Sequence, residues 1–282
     1  MSLADKAGVV VFSRILTTVV DLTTAVALVR ILPKEEFGVI SYILVIYTSV
    51  RVFATLGFPD SIFYFFERVG VGARRALAFQ TAGLLGALAL VGAAVMVGVA
   101  LFAETLLPGW SAENVQAVEQ LLPLIALVVL LEVPSWPFDN LMLASDRQVD
   151  AAWFQILTSL TRFFGLLGPL WLGYGLVVGM WGLVAYAVTR FVGAFWWTLR
   201  VLPAKTEPLP AGFAKEQVRF SVPLGLSSVV GRFNRQVDKI VVSVLLTATA
   251  LAEYNVGAQE IPLVTVVPAA VASVLISKYV QL

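Results

Sequence analysis

Eight stretches of this chain are long and apolar enough, or nearly so, to cross a bilayer as helices, and that pattern leaves few folds open. About 20 mostly apolar residues cover the ~30 Å of hydrocarbon in a membrane. The stretches are residues 7–31, 37–66, 77–102, 121–143, 151–172, 176–199, 220–246 and 252–276. Composition agrees with the pattern: 59% of the 282 residues are hydrophobic and 13% charged, with a mean hydropathy of +0.90, whereas soluble domains carry about 25% charged residues. Residues 77–102 hold no charge at all, while the first, second and seventh stretches each bury several. The first is too long for a signal-peptide core and is followed by a charged turn rather than a cleavage site, so it is expected to remain in the mature protein.

Loop charge predicts the orientation, because Lys and Arg concentrate in short cytoplasmic loops. With the N-terminus inside, Lys6, Arg68, Arg74, Arg75, Arg147, Arg200, Lys205, Lys215, Arg219 and Lys278 fall on the cytoplasmic side, and the opposite loops hold only Lys34. Eight crossings with both ends in the cytoplasm follow. Trp153, Trp171, Trp196 and Trp197 stand near span ends, as interfacial anchors do. The segment 201–214, with Pro203, Pro208, Pro210 and Gly212, reads as a cytoplasmic linker between an N-terminal lobe of six helices (1–200) and the first two helices of a second lobe (215–282). The expected fold is an all-α membrane protein with the second lobe incomplete.

An internal repeat supports two lobes. An offset of 217 residues carries Asp21 onto Asp238, and Glu36, Phe37 and Val39 onto Glu253, Tyr254 and Val256. Six spans separate the copies, so both enter the membrane from the same side, as in a parallel repeat.

Several chemistries are excluded at the outset. Without Cys or His the chain has no disulfide, thiolate or imidazole metal site, Cys nucleophile or Ser-His-Asp triad. A net charge of +1 gives no global field to attract nucleic acid, and no glycine loop follows a strand to cradle a nucleotide. No catalytic residue, metal or cofactor is therefore expected; movement of a cargo would draw on an ion gradient, the membrane potential or substrate concentration.

The charges inside the spans carry the functional argument, since a charge at mid-bilayer costs about 2.5–3.5 kcal/mol on insertion scales unless it meets a partner or a wet cavity. Arg14, Thr17, Thr18 and Asp21 share one face of the first span, and Arg51 lies one turn from Tyr47 and Thr48 in the second. In the seventh span Arg232, Arg235, Gln236 and Lys239 form a stripe, with Asn234 and Asp238 beside it. Two readings are open: internal ion pairs (Arg14 with Asp21, Arg235 or Lys239 with Asp238), or a cavity whose cations await a ligand. Three cations against one carboxylate in the seventh span favour an anion, and guanidinium forks suit phosphate oxygens. Arg14, Arg51, Arg232 and Arg235, with Lys239 and Gln236, are thus the candidate substrate-binding residues. Asp21, Glu132, Asp238 and Glu260 are candidates for ion pairing or for carrying a coupling proton or cation. Arg162, which shares a stripe with Gln155, Thr158 and Ser159, together with Arg190 and Asp139, reads as interhelical bonding. The glycines of the third span, among them Gly83, Gly86, Gly92 and Gly98, read as close helix packing.

The first span leading to Arg30, Leu32, Pro33, Glu36, Phe37 and Gly38, then Leu56, Gly57, Phe58 and Asp60 before an aromatic run ending at Arg68, resembles the opening of polysaccharide-biosynthesis flippases. Ser221 to Gly225, Asp238, Lys239, Glu253 and Tyr254 resemble the start of their second lobe. These proteins belong to the multidrug, oligosaccharidyl-lipid and polysaccharide exporter superfamily. The resemblance implies two six-helix bundles around a central cationic cavity, alternating access, and an undecaprenyl-pyrophosphate-linked oligosaccharide as cargo. It further implies residence in the inner (cytoplasmic) membrane among its lipids, and work beside polysaccharide polymerase machinery. Family members have twelve to fourteen spans, so the chain is expected to be an N-terminal fragment or truncated product. Two rivals stand beside this reading: a cation-coupled multidrug exporter of the same superfamily with Asp21 as coupling carboxylate, and a membrane assembly component with no cargo, whose buried charges would all be paired.

Overall fold

The computed structural model describes residues 3–203 and 207–258. The described chain is eleven α-helices and one 3-10 turn, with no strand. In order they are α1 (Leu3–Ile31), α2 (Lys34–Thr55), α3 (Phe58–Phe66), the turn Val71–Ala73, α4 (Arg74–Leu101), α5 (Ala103–Leu106), α6 (Ala112–Ser135), α7 (Pro137–Ala144), α8 (Gln148–Trp171), α9 (Gly175–Val201), α10 (Phe213–Leu245) and α11 (Ala248–Gly257). Five segments are long and apolar enough to cross a membrane by length and composition: 8–31, 34–66, 71–101, 112–144 and 175–201. The chain is an all-α membrane protein. Its outer faces fit that medium: Val11, Phe12, Ile15, Val19 and Val26 on α1, and Leu90, Val91, Val95 and Leu101 on α4, are all exposed. In water such continuous apolar surface would drive association, whereas in a bilayer it meets lipid.

α8 and α10, read from sequence as spans, fall outside the five because their polar residues dilute their hydropathy. Both pack on the bundle nonetheless, α8 between α1 and α9, and α10 against α2, α3 and α11. Of the eighth expected span only α11 and Ala258 are described; residues 259–276, including Glu260, lie outside the described residues.

Two spans expected to be continuous are broken. In the second, Leu56 (φ +36°) and Gly57 (φ +72°) adopt left-handed backbone between α2 and α3. A turn of this hand is open to glycine and costs other residues about 1–2 kcal/mol. Gly57 is also required by packing, since a β-carbon there would lie 2.7 Å from the Ser221 carbonyl oxygen and 2.8 Å from the Gly225 nitrogen of α10. In the fourth, the helix starts earlier than expected, where Ser111 accepts the Asn114 N–H at 3.4 Å, and ends at Ser135 before Pro137, whose ring and missing N–H break the ladder.

Two apolar clusters hold the bundle. Ile43, Leu85, Met96, Leu122 and Val129 centre the larger, among α2, α4 and α6. Ile62, Phe65, Phe66, Leu77, Phe138 and Leu141 centre the other at the opposite end, where Phe213 at the head of α10 meets Phe65 edge-on at 5.1 Å and Phe220 stacks on Tyr64 at 4.2 Å. Close approach of helices happens at glycines other than those expected. Around Gly83 and Gly98 of α4 there is open space and only Gly92 is tight, 2.6 Å from Val50 Cγ1 for an added β-carbon. The intimate contacts are Gly165 with Gly182 between α8 and α9, Gly38 with Ala248, and Gly57 with Gly225.

The helix boundaries of α1–α2 and α10–α11 recur at one offset, but it is not the offset of the sequence match. Ile31 and Leu245 end their first helices and Lys34 and Ala248 open the second, both pairs 214 residues apart rather than 217. The matched acidic and aromatic residues therefore sit almost one turn deeper in α11 than in α2. Between α9 and α10, the Glu207 N–H donates to the Gly72 carbonyl at 2.9 Å and pins the connecting segment to the α3–α4 turn.

Candidate functional site

Three adjoining cavities lie among α1, α2, α6–α10 and α11. The largest, about 390 Å³, is walled by Asp21, Thr24, Ser41, Tyr47, Arg51, Arg162, Tyr186, Gln236, Lys239 and Asn255 with apolar residues between them. A second, about 270 Å³, is lined by Thr48, Arg51, Val52, Thr55, Trp136, Arg235 and Gln236. The third, about 200 Å³, takes Val52, Thr55 and Trp136 as shared wall and adds Gly57, Asp60, Asp139, Asn140 and Gln155. Cavity walls of this kind explain how α1, α2, α8 and α10 can carry charge in a membrane: Asp21, Arg51, Arg162, Arg235 and Lys239 face space between helices.

Arg51 projects near the C-terminal end of α2, where Tyr47, one turn earlier, holds it: its Nη1 donates to the Tyr47 hydroxyl at 3.2 Å. Its guanidinium also lies 4.6 Å from the Trp136 ring centroid, a face that attracts cations. Tyr47 in turn donates to Glu132, which is 2% exposed on α6 and accepts a second bond from the Tyr186 hydroxyl of α9 at 3.1 Å. Arg51 thus meets its nearest buried carboxylate through a phenol and makes no direct salt bridge with it. Deeper in the bundle Arg190, 6% exposed, donates to Ser135 Oγ at 3.0 Å and pairs with Asp139 at 2.5 Å across α9 and α7. Arg162 of α8 pairs with Asp21 of α1 at the edge of the largest cavity.

The expected residues separate accordingly. Arg51, Arg235, Gln236 and Lys239 line the first two cavities, and Asp21 lines the largest. Arg14 is exposed on α1, does not line them, and is not the partner of Asp21, which turns to Arg162 instead. Asp238 is exposed and accepts the Tyr254 hydroxyl at 2.6 Å, so it is tied to α11. Glu132 stands behind the cavity wall, reached through Tyr47 and Tyr186. The backbone of α10 carries position 232, whose side chain lies outside what is described. Arg162 and Tyr186 were not singled out as ligand residues from sequence; the i, i+3, i+4 stripe of Gln155, Thr158, Ser159 and Arg162 was the available signal.

Across the first nine helices, the carboxylates Asp21, Glu132 and Asp139 meet Arg162, Arg51 (through Tyr47) and Arg190. What α10 contributes to the walls is cationic and amide: Arg235, Gln236 and Lys239. Among the described residues lining the second cavity there are two guanidinium groups and no carboxylate. No group of three or more Asp or Glu residues capable of holding a metal occurs among the described residues.

Helices arranged round internal space lined by charged side chains define a polytopic membrane protein whose candidate site lies between its helices. The chain matches the family described as polysaccharide biosynthesis protein over residues 3–276, nearly its whole length, and it belongs to that family. No curated protein and no solved structure matches it.

Proposed function

We propose that this chain belongs to a flippase that moves an undecaprenyl-pyrophosphate-linked oligosaccharide across the cytoplasmic membrane for cell-surface polysaccharide biosynthesis. The observation that supports the reading is the second cavity, where the guanidinium groups of Arg51 and Arg235 and the amide of Gln236 face one space. Two guanidinium forks facing one space suit the oxygens of a dianionic phosphate group, which each can bind bidentately. Arg51 is preorganised for this by Tyr47 and Trp136. Lys239, in the largest cavity, extends the positive wall along α10.

Transport needs no bond to be made. The headgroup enters between the first nine helices and α10, its phosphates bind at Arg51 and Arg235, and its lipid tail stays in the bilayer. Rocking of α10 and α11 against the first lobe about segment 201–214 then opens the cavity to the far side, as alternating access requires. The cycle takes the N-terminus as cytoplasmic, a reading that the bias of Lys and Arg toward the loops of that side supports.

The test is transbilayer movement of a fluorescent undecaprenyl-pyrophosphate oligosaccharide in proteoliposomes. Arg51→Ala and Arg235→Ala are each expected to slow flipping at least tenfold, and Arg51→Lys to restore part of it. Flipping at the native rate in both alanine variants, or transport of an organic cation in place of the lipid, would overturn the proposal.

A further inference from the structure

Two carboxylates of the cavity walls, Asp21 and Asp139, are met directly by guanidinium groups, those of Arg162 and Arg190. Glu132 differs from both. It lies behind the wall, 2% exposed, and its hydrogen-bond partners among the described residues are two phenols. Tyr47 of α2 gives its proton to one carboxylate oxygen, and Tyr186 of α9 gives its own to the other at 3.1 Å. A carboxylate taken this far from water is costly unless a cation balances it. Arg162 and Arg190 are engaged elsewhere, and the cation that Glu132 reaches through Tyr47 is Arg51.

A phenol has a single proton to donate. Tyr47 gives it to Glu132, so toward Arg51 its oxygen can only accept, and Arg51 Nη1 donates to it at 3.2 Å. Hydrogen bonds in a chain polarise one another, and a hydroxyl engaged with an anion accepts more strongly at the same oxygen. The negative charge of Glu132 is therefore felt by Arg51 one phenol away. This relay does not block the site: it occupies a single N–H of the guanidinium, and Arg51 lines both larger cavities. Its effect is on strength. A fixed anion behind the wall subtracts from the attraction that the cations hold for a phosphate in front of it. For charges about 10 Å apart at an effective dielectric constant of about 20, the subtraction is worth about tenfold in affinity.

A path through a membrane must bind its cargo well enough for it to enter and weakly enough for it to leave. We propose that Glu132 is a positioning residue for release: an internal anion, acting on Arg51 through Tyr47, that holds the affinity of the site for phosphate low enough for the headgroup to depart. The inference rests on the flippase reading and adds a second half to it, since Arg51 and Arg235 capture the headgroup and Glu132 limits the capture. Glu132 itself touches no cargo. Tyr186, bonded to its other oxygen, keeps the carboxylate turned toward the Tyr47 hydroxyl.

The experiment measures two quantities: the affinity of the purified chain for undecaprenyl pyrophosphate, and the rate at which proteoliposomes flip a fluorescent undecaprenyl-pyrophosphate oligosaccharide at saturating cargo. Glu132→Gln keeps the shape and removes the charge, and is expected to bind the probe about tenfold more tightly while flipping more slowly. A residue that only holds the bundle together would weaken binding when changed, so the sign of the effect separates the two roles. Because the charge acts through Arg51, the gain from Glu132→Gln is expected to shrink to about threefold or less in an Arg51→Ala background, as a double-mutant cycle measures. Gel filtration and melting temperature identify a variant that has unfolded. Glu132→Leu combined with Tyr186→Phe then removes the same charge without leaving the α9 hydroxyl unmet, and carries the same expectation. Unchanged or weaker binding, tighter binding without slower flipping, or an equal gain with and without Arg51 overturns the inference and leaves the flippase reading standing. Failure of the native chain to bind the probe overturns the flippase reading itself, and this inference with it.

Discussion

Charges buried in a membrane bundle are informative only when their partners are known, and here the partners come from other helices. Helical spacing put Arg14 and Asp21 on one face of α1, yet Asp21 pairs with Arg162 across the α1–α8 contact. Sequence shows which groups share a face but not which helix that face meets. Arg51 was more legible, because its first partner, Tyr47, lies one turn away on its own helix. Arg190 and Asp139 give the sharpest test at this scale. Their pair is tightly enclosed, with Asp139 Oδ1 already lacking a partner. Removing one member leaves the other charge buried, which is expected to cost about 3–5 kcal/mol. Arg190→Met and Asp139→Leu are therefore each expected to lower the melting temperature of the detergent-solubilised protein sharply. The double variant should lie closer to native than either single one, because it leaves no orphan charge. A double variant as damaged as the sum of the two would show that the pair does not act as a pair.

At the level of helices, the apolar stretches and the prolines that interrupt the fourth were readable, and the break in the second was not. Hydropathy averages over a window of residues, so it passes over a turn of two residues such as Leu56–Gly57, where the cause is backbone hand and a neighbour's approach rather than polarity. The glycines misled for the same reason: α4 is rich in them, but a small residue matters only where another backbone comes close, as at Gly165 with Gly182. This separates two classes of substitution. Gly57→Ala combines a left-handed φ of +72° with contacts of 2.7 and 2.8 Å to α10, so it is expected to push α3 and α10 apart and to depress stability by several kcal/mol. Gly83→Ala adds a methyl group in open space on a helix interior and is expected to be neutral or to stabilise by about 0.5–1 kcal/mol. Thermal melting of both in one detergent decides it; equal effects would mean that the α3–α10 contact does not hold these helices.

Over the whole molecule, α10 and α11 bond to the preceding helices at both ends of the bundle, with Phe53 of α2 meeting Phe233 of α10 between them at 5.2 Å. At one end Lys34 and Glu253 pair at 2.9 Å, Asn255 donates to Ser41 at 3.0 Å, and the Trp110 indole donates to the Ser243 carbonyl at 3.0 Å. At the other, Gln217 donates to Ser61 and Thr81 at 3.2 and 2.7 Å, and Phe220 stacks on Tyr64. The cavities sit between these two contacts. Parallel repetition of a hairpin hinted at such an arrangement, but the sequence match, three residues out of step with the helix ends, could not say which side chains meet. If the lobes rock, one contact must part while the other holds, so fixing either should stop transport. The native chain has no Cys, which allows a pair at positions 34 and 253 and a separate pair at 64 and 220, each bridged by a short thiol cross-linker. Each bridge alone is expected to abolish flipping in proteoliposomes, and cleavage of a reducible linker to restore it. The exposed Lys34–Glu253 pair itself contributes only about 0–1 kcal/mol, so the uncross-linked double-Cys protein should flip at close to the native rate. Transport that persists through both bridges would mean that cargo crosses without relative movement of α10 and α11, and the rocking mechanism would have to be replaced by a fixed groove.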